Sequence, residues 1–245
     1  MDVNWCSELT EKGFSMITRV FGPKELEPLK AALSKVAPDD RVRRRADVYA
    51  IRDLFEKCES IRLLADSHKV RALVHQALGL GAFPVRALLF DKVANANWLV
   101  PWHQDRTICV REKRETPGYG PWSIKAGQWH VQPPVTVLER MVSVRLHLDD
   151  CDESNGALRV IPGTHRSGRM SSAAIESAAC QGFFTCSAKA GDVLLMKPLL
   201  IHASSAADRA AHRRVVHLDF ANCQLHTPLR WRTTGDRSTG DRGAA

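Results

Sequence analysis

The sequence predicts an α+β fold in which helices come first and pack outside a β-sandwich or barrel. Three observations carry this. Apolar residues recur at helical spacing up to about residue 80, short β-rich runs dominate from Phe83 to about residue 222, and turn residues separate those runs at short intervals.

The first quarter reads as a strand, FSMITRVF (14–21), followed by a helix on which Leu26, Leu29, Leu33 and Val36 share a face. Pro23 suits that helix's first turn, where its missing N–H costs nothing. Residues 51–80 form a further helical stretch through Leu54, Ile61, Leu64, Val70, Leu73, Val74 and Leu78, with Gly79 near its end. The later runs VRALLFDKV, VSVRLHLDD, ALRVIPG, FFTCSA, DVLLMKP and RRVVHLDFA read as strands. Asn155-Gly156 predicts a tight turn between two of them, and Ala190-Gly191-Asp192 introduces another, so antiparallel hairpins are expected.

Two segments stand apart. Residues 108–140 gather prolines, glycines, Tyr119, Trp122 and Trp129 into a long ordered excursion of the kind that usually carries function. The end of the chain, 232–245, has no large apolar side chain and is expected to be mobile. Neither a repeat nor a linker divides the rest, so residues 1–231 are read as one domain.

The chain's 245 residues, 44% hydrophobic and 25% charged, are enough for one sizeable core and exclude a disordered or collagenous polymer. No apolar run is long enough to span a bilayer, and no secretory leader is visible. Seven cysteines without a CxxC pair favour reduced thiols, so a cytoplasmic setting is expected. The net charge is +8, with Arg41, Arg43, Arg44 and Arg45 the densest basic run. That run has no interleaved aromatics and no nucleic-acid-reading motif beside it, so a solvated face is favoured over a nucleic-acid partner. Oligomeric state is not encoded legibly.

The chemistry concentrates in Trp102-His103-Gln104-Asp105. Spacing of i, i+2 puts His103 and Asp105 on one face of an extended chain, where they can share a metal. Ninety-seven residues after Asp105, the apolar run VLLMKPLLI ends near His202, which could complete the set. Two imidazoles and a carboxylate with open positions opposite suit non-haem Fe(II) and oxygen chemistry, although zinc hydrolases use similar ligands. Arg213, eleven positions beyond His202, falls on a strand expected to neighbour it. A buried guanidinium needs an anion, and a dicarboxylate would serve.

These segments, VRALLFDKVANANWLVPWHQD, RLHLDDCDESNGALRVIPGTHR and GDVLLMKPLLIHASSAADRAAHRRVVHLDFA, resemble the phytanoyl-CoA dioxygenase family of Fe(II)- and 2-oxoglutarate-dependent oxygenases. The resemblance runs over roughly residues 10–230 and is stronger after residue 80. It implies a double-stranded β-helix, a cupin-like jelly roll buttressed by the N-terminal helices. It also implies Fe(II), 2-oxoglutarate as cosubstrate, O2, and a small organic substrate that is hydroxylated as the keto acid is converted to succinate and CO2. His103, Asp105 and His202 match the family's iron ligands, and Arg213 with Ser204 matches the pair holding the distal carboxylate of 2-oxoglutarate. Arg145 resembles a position bordering the cosubstrate and reads equally as a surface arginine on an edge strand.

Several relatives supply a cosubstrate lysine from a segment that here reads DVYAIRDLF. Tyr49 is expected in its place, with Arg52 as the rival. Related halogenating enzymes replace the carboxylate ligand with a small residue, so the presence of Asp105 points to hydroxylation. Trp122, Trp129, His130 and Gln132 are the substrate candidates if the excursion covers the iron; the tryptophans serve equally well as pins holding it to the body. His147, His165 and His217 are expected to be structural, and Lys92 to lie at the pocket mouth or in solvent. The charge pattern points to an anionic substrate. Two other readings stay open: a metal enzyme of another class on the same barrel, and a non-catalytic small-molecule-binding jelly roll.

Overall fold

Helix formation at the amino end follows from local signals. The computed structural model, which describes residues 4–36, 49–92, 99–207 and 212–232, opens with α1 (Trp5–Lys12), closed by Gly13 in the left-handed conformation. Strand β1 (Phe14–Ile17) is shorter than the run 14–21, because the chain turns at Arg19, where φ is positive. Helix α2 (Pro23–Ser34) starts on Pro23, with the Glu25 carboxylate accepting from the Gly22 N–H at 2.9 Å, and buries Leu26, Leu29 and Leu33.

The stretch 51–80 is not one helix. It begins in β2 (Tyr49–Arg52) and continues as α3 (Leu54–Lys57), α4 (Glu59–Asp66) and α5 (His68–Leu78). Extended backbone at Cys58 and Ser67 interrupts the helix, and the Ser67 hydroxyl caps α5 by accepting from the Val70 N–H. The apolar spacing survives these breaks because all three helices lie on the same sheet.

Strand β3 (Phe83–Lys92) leads to β4 (Val100–His103), and the excursion holds β5 (Ile108–Cys109), β6 (Trp122–Lys125), β7 (Gln128–Val131) and α6 (Val135–Glu139). Strands β8 (Met141–His147) and β9 (Leu158–Ile161), helix α7 (Ser172–Ala179), then β10 (Phe184–Cys186), β11 (Val193–Met196), β12 (Ile201–Ser204) and β13 (Arg213–Ala221) complete the order. They form a six-stranded sheet β1-β11-β8-β13-β3-β2, a four-stranded sheet β10-β9-β12-β4, and a small sheet β5-β7-β6. All the strand pairs are antiparallel. This is the jelly-roll arrangement of two facing sheets with helices against one of them.

The six-stranded sheet is covered on both faces. Val142, Val144, Leu146, Val216, Leu218 and Phe220 meet the helices' Leu26, Leu54, Ile61, Leu73 and Val74 in one core. Each such buried aliphatic contributes roughly 1.5–3 kcal/mol. The alternate residues of the same strands, Ser143, Arg145, His147, Arg213, His217 and Asp219, point the other way and are also buried. Strand β8 is central, between β11 and β13, so Arg145 is not an edge-strand surface residue.

Asn155-Gly156 makes a turn, with Gly156 at φ +77°, but not a hairpin: β8 lies in the larger sheet and β9 in the smaller, so this turn carries the chain across the sandwich. Arg41 to Arg45 and residues 233–245 lie outside the described residues. No helix among the described residues is long and apolar enough to cross a membrane, and the seven cysteines are free thiols.

Gly191 has φ +92°, and a Cβ there would sit 2.0 Å from the Phe21 carbonyl oxygen, whose own N–H donates to the Gly191 carbonyl at 3.0 Å. Gly191→Ala should therefore destabilise the fold by at least about 1 kcal/mol. A urea denaturation midpoint equal to that of the unmodified chain would contradict this.

Candidate active site

Three side chains predicted to share a metal converge across the smaller sheet. Strand β12 pairs with β4 so that His202 stands opposite His103, with ring centroids 4.2 Å apart. Asp105 follows two residues after His103, and its Oδ2 lies 3.8 Å from His202 Nε2. One ligand atom from each residue falls within 4.8 Å of the others. Gln104, between the two ligands, points away and pins the segment: its amide donates to the Gly168 and Leu199 carbonyls and accepts from the Met170 N–H. The Asp105 N–H donates to the Pro198 carbonyl at 2.9 Å.

The donor chemistry fits a metal. His103 Nδ1 donates to the Pro101 carbonyl at 2.8 Å and His202 Nδ1 to the Leu200 carbonyl at 2.9 Å, which leaves each Nε2 lone pair for coordination. Burial pushes the His202 imidazole below its usual range, and the neighbouring His103 adds to this. Burial alone would raise the Asp105 carboxyl, but attraction to His202 when that imidazole carries its proton, and to the Arg86 guanidinium, outweighs it and holds it low. An ionised carboxylate beside an unprotonated imidazole is the ligating state at neutral pH.

These ligands open into a cavity of about 190 Å³ between the two sheets. One end is bounded by Leu158, Ser204 and Arg213. Arg213 is 4% exposed, and its Nε has no hydrogen-bond partner among the described residues; its guanidinium also contacts the Cys151 thiol, a neighbour that sequence reasoning missed. Lys92, expected at the mouth or in solvent, is instead 1% exposed, directly across β3 from Arg213. Its ammonium donates to Ser204 Oγ at 3.2 Å and to the Ser205 carbonyl. Burial, with the positive charge of Arg213, pushes Lys92 down to about 7. Only a glycine fits at 156, since a Cβ there would lie 2.8 Å from Lys92 Nζ and 2.5 Å from the Ser205 oxygen. The Asn-Gly dipeptide signalled the turn but not this cradle.

Beneath the triad runs a buried polar chain. Arg145 Nη1 donates to His217 Nδ1 at 2.9 Å, and His217 Nε2 donates to Asp219 Oδ1 at 2.8 Å. The same carboxylate accepts from Ser143 Oγ at 2.6 Å and Arg86 Nε at 2.6 Å. Burial would raise Asp219, but Arg86 and His217 hold it well below the usual carboxylate range. Arg145 also lies over the Phe90 ring at 5.7 Å, and its Nε has no partner among the described residues.

The excursion is placed differently from expectation. Trp122 and Trp129 pack edge to face at 6.3 Å with the Lys113 ammonium 5.9 Å from each, against the cluster of Ile108, Tyr119, Val131 and Trp231. His130 is buried and donates to the Gln128 carbonyl; Gln132 donates to the Gly120 carbonyl. None of these four lines the cavity, because the apolar rings are taken up in fixing the excursion to the body. Lys125, at the tip of the β6–β7 hairpin, lines it instead. Tyr49 lies in β2 opposite Asp91, its side chain outside the described residues, whereas Arg52 lines the cavity. His165 donates to the Thr10 carbonyl of α1 and does not line the cavity.

The fold and this site define the class: a jelly roll with a two-histidine, one-carboxylate metal site at its centre. The chain belongs to the phytanoyl-CoA dioxygenase (PhyH) family, whose model matches residues 9–215 and whose members are iron- and 2-oxoglutarate-dependent oxygenases. An ectoine dioxygenase from Nocardia farcinica is 25% identical over 169 residues, 65% of this chain and 50% of the relative, so the match spans half of that protein's length. Among solved structures, EctD from S. alaskensis with bound Fe has a TM-score of 0.72 at 18% identity, over 93% of this chain and 80% of that one. AviO1 from Streptomyces viridochromogenes Tue57 has a TM-score of 0.67 at 18% identity, over 90% and 95%. The carbocyclase SnoK from nogalamycin biosynthesis has 0.71 at 14%, over 95% and 87%.

Buried His147 has no partner for Nδ1 among the described residues; burial, with Arg145 and Arg213, pushes it down to about 3. In the unfolded chain a histidine titrates near about 6.5. Between these values the unfolded state holds a proton that the folded state lacks, so stability falls as pH drops, by up to about 1.4 kcal/mol per unit. His147→Gln should flatten the decline measured by urea denaturation between pH 6.5 and about 4.5; an unaltered slope would contradict the assignment.

Proposed function

We propose that this protein is an Fe(II)- and 2-oxoglutarate-dependent dioxygenase that hydroxylates a small organic substrate. The observation that carries the reading is the shared cavity: a cluster of His103, Asp105 and His202 with its donor atoms within 4.8 Å, and a buried Arg213 whose Nε lacks a partner among the described residues, open into the same space. Family membership supplies the class of reaction, and the lone pairs on the two imidazoles supply the fit to a metal.

In this reading His103, Asp105 and His202 hold iron(II). Arg213 and Ser204 hold the distal carboxylate of 2-oxoglutarate. Ser204 Oγ already accepts from the Lys92 ammonium, so its own O–H is directed to another acceptor, and a carboxylate oxygen in the cavity would serve. Lys92 is thereby a positioning residue. Arg145, steered by His217 and Phe90, borders the same cosubstrate. When bound, iron, 2-oxoglutarate and O2 together supply the oxidation, with succinate and CO2 as coproducts. The protein orients the reacting groups and keeps bulk water from them, which the burial of Arg213, Ser204 and His202 supports. The relatives include a dioxygenase and a carbocyclase by name, so the scaffold accommodates more than one outcome; the carboxylate of Asp105 favours hydroxylation here.

Anaerobic addition of 2-oxoglutarate to the Fe(II)-loaded protein should produce a weak visible charge-transfer band, and admission of air should release succinate. Metal binding with neither signal would sink the proposal. Arg213→Ala should raise the dissociation constant for 2-oxoglutarate roughly ten- to a hundred-fold, the loss expected for a charge-assisted pair, while iron binding stays within about twofold. His103→Ala should lose both iron and succinate formation. Calorimetry and coupled succinate assays separate these outcomes.

A further inference from the structure

The buried polar chain beneath the triad ends on a side chain with donors to spare. Asp219 is held by three groups: Oδ1 accepts from Ser143 Oγ at 2.6 Å and from His217 Nε2 at 2.8 Å, and Oδ2 accepts from Arg86 Nε at 2.6 Å. A carboxylate anchored from both oxygens fixes the histidine proton on Nε2. The Nδ1 lone pair of His217 is then the acceptor for Arg145 Nη1 at 2.9 Å. Ser143, Arg145, His217 and Asp219 are all more than nine-tenths buried, so water does not compete for these bonds.

The contact selects one edge of the guanidinium. Nη1 lies on the Cδ side of that group, so binding it to His217 leaves the other edge, Nε with Nη2, turned away from the histidine. Nε has no partner among the described residues, and Arg145 lines the cavity. Two parallel N–H donors on one edge are the form in which a guanidinium takes a carboxylate. The Phe90 ring, 5.7 Å from the guanidinium carbon, packs against its face.

Arg145 and Arg213 do not duplicate each other. Arg145 stands opposite His217 on β13, four residues along from Arg213, roughly 13 Å at strand spacing. Burial and His103 lower the His202 imidazole, and the charge of Arg145 adds to them, while the Asp105 carboxylate favours the charged form of Arg145. Arg213 instead has Cys151 and Asp91 as its favourable neighbours. Metal ligands, Arg145 and Arg213 therefore follow one another in that order. A keto dicarboxylate with its keto acid end at the metal ligands and its far end on Arg213 meets Arg145 at the carboxylate beside the keto group.

We propose that Asp219, acting through His217, positions the Arg145 guanidinium to take the keto-side carboxylate of 2-oxoglutarate, leaving the distal carboxylate to Arg213. The proposal rests on the dioxygenase reading and assigns each arginine to one end of the cosubstrate. His217 and Asp219 act only through Arg145, which makes them positioning residues.

The test uses the full chain loaded with Mn(II), a redox-silent stand-in for iron, and two probes. N-oxalylglycine has both carboxylates of 2-oxoglutarate; N-methyloxamate keeps the keto-side carboxylate and lacks the distal one. In isothermal titration Arg145→Gln and His217→Phe should each weaken both probes roughly fivefold or more, the loss of a charge-assisted or aligned carboxylate contact. His217→Asn, which keeps an acceptor at the Nδ1 position, should stay within about threefold of the unmodified chain, and Arg213→Ala should weaken N-oxalylglycine alone. Asp219→Asn should weaken both probes by itself and cost nothing further in the His217→Phe background, because residues acting in series are not additive. Should Asp219→Asn fail to fold, the tautomer decides: nitrogen NMR of the histidine-labelled chain, assigned by the signal lost in His217→Asn, should place the His217 proton on Nε2. N-methyloxamate affinity unmoved by Arg145→Gln, equal weakening of it by Arg213→Ala, additive losses for Asp219→Asn and His217→Phe, or a proton on His217 Nδ1 would each overturn the proposal. Failure of N-oxalylglycine to bind the unmodified chain would sink the dioxygenase reading as well, whereas binding that responds to Arg213→Ala but not to His217→Phe would sink this proposal alone.

Discussion

The site depends on one strand pairing. Strand β12 lies beside β4 in the register that sets His202 across from His103, and both strands belong to the sheet facing the charged stripe of β3, β8 and β13. A one-residue slip of β12 would turn His202 and Ser204 outward and bring Ile201 and Ala203 into the cavity, dispersing the His103–Asp105–His202 cluster and removing the Ser204 hydroxyl from the cavity together. The register is held from both sides: β12 also pairs with β9 from Ile201 to Ser204, and Gln104 ties the chain between His103 and Asp105 to the Leu199 carbonyl just ahead of β12.

That geometry obliges the larger sheet to bury charge. Arg145, Arg213, His217, Asp219 and Lys92 are all nearly inaccessible, and taking such groups out of water costs several kcal/mol each unless they are paired. Two devices meet this cost. The helices load the opposite face of the same strands with aliphatic side chains, and the charges are chained, Arg145 to His217 to Asp219, with Ser143 and Arg86 closing on the last carboxylate. The chaining leaves out Nε of Arg145 and of Arg213, which lack partners among the described residues. Both side chains line the cavity, where an anionic ligand would complete them.

The sequence made the essentials of the site legible because they are local or carried by short motifs. His103 and Asp105 are two residues apart on an extended segment, and His202 and Ser204 are two apart on a strand, so each pair faces one way whatever the rest of the fold does. Helical spacing through Leu26, Leu29 and Leu33 likewise needed only its own neighbours. The breaks at Cys58 and Ser67 were harder to see, since apolar period is preserved across three helices that share one sheet.

What the sequence by itself determined, then, is that helices precede strands, and that His103 with Asp105 and His202 with Ser204 each share a face. Only the tertiary structure decided which way the polar residues of each strand face. An alternation such as VSVRLHL reads identically whether its polar side meets water or a closed cavity, and only the facing sheet makes it the latter. For the same reason Lys92 is interior rather than solvated, and the hairpin's tryptophans serve packing while Lys125 reaches the cavity. Each outcome turns on contacts between residues far apart in the chain, which no local spacing records.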